Sequence, residues 1–105
     1  MIVYTAGDWY TKPEQQDEFV RLWHERCKIA VAEIDSEGWN VLLRDKEDSR
    51  HYVSLGAFHD EIAFVTWRDG DGLKNHLAEL SEVLEHAETS LFEVVASVGP
   101  QVLTP

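Results

Sequence analysis

Residues Arg50 to Leu80 read R-H-Y-V-S-L-G-A-F-H-D-E-I-A-F-V-T-W-R-D-G-D-G-L-K-N-H-L-A-E-L. Arg50 to Phe58 is rich in β-branched and aromatic residues and reads as a strand. Its alternation puts His51, Val53, Leu55 and Ala57 on one face and Tyr52, Ser54, Gly56 and Phe58 on the other. Gly56 in mid-strand predicts a bulge or a close approach to the backbone. Asp60 can cap a short helix running through Trp67, and Asp69-Gly70-Asp71-Gly72 breaks it. Asp71 can cap a second helix that carries His76. The stretch therefore brings a Trp and then a His toward one sheet, and any site is expected there.

Downstream, Leu73, Leu77, Leu80, Leu84 and Ala87 fall on one helical face, which predicts a helix to about Ala87. Leu91 to Val98 (L-F-E-V-V-A-S-V) then reads as the closing strand, and Gln101 to Pro105 as a frayed tail. Upstream, Trp39 to Asp45 pairs with the Arg50 strand as a hairpin across the charged turn Lys46 to Ser49. Before it, Phe19, Leu22, Trp23, Cys27, Ala30, Val31 and Ile34 form an apolar stripe of helical period. Thr11-Lys12-Pro13-Glu14 has capping-box spacing for the start of that helix, and Gly38 follows its end. Met1 to Tyr10 is the first strand, with Val3, Thr5, Gly7 and Trp9 sharing a face.

The 105 residues predict a single domain, with a core spanning 2–99 and a tail from 100 to 105. Twenty acids against nine bases give a formal charge of −11, which argues against nucleic acid and anionic membrane surfaces as partners. A basic, apolar leader and a membrane-length apolar run are both missing from the sequence, and a lone cysteine suits a reducing compartment. The expectation is a cytoplasmic protein. Cys27 lies on the apolar stripe and reads as a packing residue. Metal spacing such as H-E-x-x-H, a phosphate loop and a nucleophile elbow are likewise lacking, so the expectation is no metal and no organic cofactor.

The order β-α-β-β-α-β, with the second helix split, is the ferredoxin-like α+β arrangement, which puts both helices on one face of an antiparallel sheet. The strands are apolar on both faces, so the open face is expected to pack on a second copy of the chain as a homodimer. In its K-P-E-Q-Q-D-E-F helix start, G-W-N-V-L-L-R-D and V-S-L-G-A-F strands, A-F-V-T-W-R stretch and F-E-V-V-A-S-V close, the chain resembles the antibiotic biosynthesis monooxygenase family. That family belongs to the dimeric α+β barrel superfamily, and the resemblance spans roughly Ile2 to Gly99.

The resemblance implies a cofactor-independent monooxygenase of a small aromatic, quinol or polyketide-type substrate. The alternative is a non-catalytic dimeric domain that binds a small molecule. Trp67 matches the family's Trp at the end of the short helix, which borders the substrate pocket in several members. His76 lies close to the apolar face of the next helix and can serve as polar anchor or base. Trp9, Gly7, His51, Tyr52 and Phe58 are candidate substrate-binding residues; whether His51 or Tyr52 joins Trp9 depends on strand register. The Trp67/His76 pair is also similar to the haem-degrading branch. That branch carries an Asn on the first strand where this chain has Gly7, so the haem reading is the less favoured.

Overall fold

The computed structural model describes residues 2–99, apart from the side chains of residues 71–76. Its elements are β1 (Val3–Thr11), α1 (Gln16–Ile29) with a π-helical last turn (Ala30–Ile34), β2 (Trp39–Arg44) and β3 (His51–Phe58), followed by α2 (Glu61–Arg68), α3 (Asp71–Val83) and β4 (Leu84–Phe92). The four strands form one antiparallel sheet in the order β2-β3-β1-β4. This is the ferredoxin-like order expected from the sequence. Among the described residues no helix is long and apolar enough to cross a membrane.

The stripe on α1 meets the sheet as its spacing predicts. Phe19 is fully buried against Trp9 and Tyr52, with ring centroids 5.7 and 5.1 Å away, and Leu22, Trp23, Cys27, Leu80 and Val83 complete the core. Cys27 is buried there, and burial pushes its thiol above the usual range, consistent with a packing role. Asp60 caps α2 by accepting from the Ala63 amide at 2.8 Å.

Asp35, in the connection after α1, is buried. Its carboxylate accepts from the backbone amides of His59 (2.6 Å) and Glu37 (3.1 Å) and meets His59 Nδ1 at 2.8 Å, tying the end of α1 to the start of α2. Burial alone would raise its pKa, but these hydrogen bonds outweigh that and leave it lowered.

Three expectations are corrected, and one offered as two alternatives is decided. Thr11 does not cap α1: it is the last residue of β1, and its amide donates to the Arg50 carbonyl at 2.8 Å. The ladder has first claim on that group, so a turn intervenes, with Glu14 at a left-handed φ of 65°, and α1 starts at Gln16. Second, α3 starts at Asp71 itself, with Gly70 in the N-cap position. Of the two alternatives at Gly56, the close approach is the one found: its register to β1 and β2 is continuous, and the side chains of Asn40 and Thr5 lie where a β-carbon would strike them. The sheet's irregularity lies between Tyr10 and Thr11 instead.

The third correction is the largest. Helix α3 stops at Val83 and the closing strand is Leu84–Phe92, seven residues before the expected Leu91. Ala87, Thr89 and Leu91 pair across β1 with Trp9, Gly7 and Thr5, while His86, Glu88 and Ser90 pair with Tyr10, Asp8 and Ala6. Residues that look like a solvated helix end are thus the two alternating faces of an edge strand. Val95 and Val98, expected inside the sheet, lie beyond it and are 88% and 98% exposed.

Candidate functional site

Register sorts the strand residues. Val3, Thr5, Gly7 and Trp9 pair with Phe58, Gly56, Ser54 and Tyr52 and all face the helices. Tyr4, Ala6, Asp8 and Tyr10 pair with Ala57, Leu55, Val53 and His51 on the open face. Between the helix-covered face and the helices lies a cavity of about 630 Å³, within the usual range for small-molecule sites. Its aromatic wall is Trp9, Phe58, Phe64 and Trp67, and Leu77 of α3 closes one side. Its hydroxyl and amide groups come from Thr5, Asn40, Ser54 and Thr89.

Trp67 both anchors α2 and lines this cavity. Its ring packs 5.5 Å from Phe58 and 6.3 Å from Phe64, centroid to centroid. Trp9 donates from Nε1 to Ser54 Oγ at 2.9 Å, which fixes the indole edge against the sheet. Gly7 lies directly below: a β-carbon there would come within 2.5 Å of Trp9 Nε1 and 2.6 Å of Ser54 Oγ, so only glycine leaves this hydrogen bond intact.

Of the other candidates, Tyr52 faces the helices but is buried in the core against Phe19. Its hydroxyl accepts from Arg44 Nε at 3.2 Å. His51 lies on the opposite face from the cavity, where Nδ1 meets Asp45 Oδ2 at 2.8 Å and Nε2 meets Asp8. Hydrogen bonds from Asp45 first and Asp8 second raise its pKa, and Tyr10 stacks on its ring at 4.4 Å. The structure therefore brings Trp67, Trp9 and Phe58 together with Gly7 beneath them, and separates His51. The backbone of His76 falls within α3 one residue before Leu77, but its side chain lies outside the described residues.

Arg26 of α1 enters this cavity unannounced by the apolar stripe. It is 7% exposed, and its guanidinium carbon lies 5.5 Å from the Trp9 ring and 5.0 Å from the Trp67 ring. Its Nε has no hydrogen-bond partner among the described residues; the neighbouring Cys27 thiol bears on the guanidinium, but no carboxylate among them pairs with it. Burial pushes its pKa down, yet an arginine retains its charge near neutrality. Burying an unpaired charge costs several kcal/mol, and each ring contact returns only about 0.5–2 kcal/mol. The signal was present in the sequence: Arg26 stands four residues after Leu22 and three after Trp23, a cation set into the stripe itself.

No protein-family model matches the chain, and no curated relative matches it in sequence. Solved structures do match. SnoaB, a cofactor-independent oxygenase from Streptomyces nogalater, superposes with a TM-score of 0.82 at 18% identity, covering 94% of this chain and 98% of its own. A Nitrosomonas europaea protein provisionally named an antibiotic biosynthesis monooxygenase gives 0.77 at 9% identity, covering 93% and 94%. A Mycobacterium tuberculosis protein gives 0.77 at 15% identity, covering 94% and 100%. At these identities the likeness is one of fold, and it is the fold that the sequence resemblance implied.

Proposed function

We infer that the chain is a cofactor-independent monooxygenase of a small aromatic, quinol or polyketide-type substrate, acting as a homodimer. The observation that carries this reading is the open, aromatic-walled cavity between sheet and helices, held in a fold shared with a cofactor-independent oxygenase. A cavity filled by Trp9 and Trp67 would have favoured a purely structural role; here they form its walls instead. The substrate supplies all the electrons. A base removes a proton from an activated ring CH₂, the carbanion or enolate reduces O₂, one oxygen atom becomes the new carbonyl, and the other leaves as water with the two hydrogens. The protein's share is to stabilise the anion and exclude bulk water. Trp67 orients the ring, and His76, through its place on α3, is the proposed base.

The dimer is proposed to form through the open sheet face, where Val41 and Leu43 are partly exposed and Trp39, Leu55 and Phe92 line an apolar hollow of about 290 Å³. The test of the activity is O₂ uptake against a panel of anthrones, hydroquinones and phenols, with wild type beside Trp67→Phe/His76→Ala. Substrate-dependent uptake that falls at least about tenfold in the double variant is the expected result. Unchanged uptake would remove both residues from the site. Binding of panel compounds by folded wild type with no uptake would favour the non-catalytic binding domain.

A further inference from the structure

We propose that Arg26 is the anion-recognising group of the cavity, and that the natural ligand is a planar aromatic bearing an anionic oxygen group. The inference deepens the oxygenase reading by naming a substrate class, but it concerns binding and does not require turnover.

Three observations carry it. First, the guanidinium is buried between Trp9 and Trp67 and borders the cavity, while Nε has no partner and no carboxylate answers the charge among the described residues. A buried cation held this way is completed by an anion from outside. Second, no carboxylate is among the described residues that line the cavity, and the other cation there, Arg68, is already paired with Asp69 at 2.9 Å. Third, the two rings that flank the cation also line the cavity, so a planar ligand can stack beside them while its anionic group reaches the guanidinium. With a formal charge of −11, most of the surface repels anions, which leaves this buried cation as a discriminating feature.

The test uses two fluorescent probes of the same ring system. 8-Anilinonaphthalene-1-sulfonate carries an anionic group and N-phenyl-1-naphthylamine does not. Titrated without O₂, wild type is expected to bind the sulfonate at least about tenfold more tightly than the neutral amine. Arg26→Met should erase that preference while leaving the neutral probe within about twofold, and Arg26→Lys should keep part of it. Thr89→Trp, which fills the cavity from an edge strand, should abolish binding of both.

Equal affinity of wild type for the two probes overturns the proposal without any variant, so a folding defect in Arg26→Met cannot shelter it. A preference that survives in folded Arg26→Met, or binding that survives in Thr89→Trp, also overturns it. The two readings fail separately: an Arg26-dependent preference with no O₂ uptake on any compound would keep this proposal and sink the oxygenase.

Discussion

On the helix-covered face of the sheet, Arg26 lies between Trp9 and Trp67 with no carboxylate beside it among the described residues. On the open face, His51 is clasped by Asp45 and Asp8 under the Tyr10 ring, and His86 meets Glu88 at 3.4 Å. One face thus leaves a deep charge unanswered, and the other answers shallow charges among themselves. The apolar surface divides the opposite way. The covered face buries its aromatics under α1, whereas Leu43, Leu55 and Phe92 on the open face remain partly exposed. Pairing within the chain serves stability, and what is left unpaired is where the proposed ligand and the proposed second copy would sit, one on each face.

The comparison can be broken most forcefully at Phe19. Phe19→Ala empties the contact between Trp9 and Tyr52 and should lower unfolding free energy by about 3–5 kcal/mol, measured by urea denaturation. A loss below about 1 kcal/mol would mean that the covered face is not the packed one. A middling effect is expected on the open face. Leu43→Asp with Leu55→Asp sets acids into the exposed apolar rows, and sedimentation should shift from dimer to monomer with far-UV dichroism unchanged. A wild type that sediments as a monomer at all concentrations would end the proposed dimer.

The smallest effect sharpens the electrostatic side. His51 has a raised pKa in the folded state, so its contribution to stability is fully present below the unfolded value, near 6.5, and is lost as pH rises through the folded one. Thermal stability of the wild type should therefore sag on the alkaline side of about 6.5, and His51→Gln should make that slope shallower, the remainder belonging to His59, whose pKa the Asp35 hydrogen bond also raises. A slope that persists undiminished in the variant assigns the titration elsewhere.

Much of this arrangement is legible in the sequence, for physical reasons that differ by element. The α1 stripe and the Asp60 cap are local patterns, and the structure keeps them. The β2–β3 hairpin is local too, with its turn closed by Asp45 and Asp48 side chains accepting the Glu47 and Arg50 amides at 2.8 and 3.0 Å. The closing strand is a non-local decision. F-E-V-V-A-S-V has the stronger intrinsic strand preference, but pairing with β1 selects L-E-H-A-E-T-S-L-F. At the site, Trp67, Trp9 and Phe58 are readable as aromatics on predicted faces. The choice between His51 and Tyr52 waits on register, which matches Trp9 with Tyr52. Arg26 is hidden because a hydrophobic stripe is read by its apolar members and not by a cation set among them.

Helix α3 passes into β4 without a loop: Val83 ends one and Leu84 begins the other, with the Val83 carbonyl accepting the Lys12 amide at 2.9 Å. That junction keeps the reading frame of the cavity wall. Adding or deleting one residue there, unless the irregularity opposite Tyr10 and Thr11 absorbs it, would turn Ala87, Thr89 and Leu91 outward and swing His86 and Glu88 toward Arg26, bringing an acid to the cavity wall. Length variation among descendants of this chain is thus costly at residues 83–84, yet open at the turn of residues 45–50, where an insertion leaves every cavity residue on its own face.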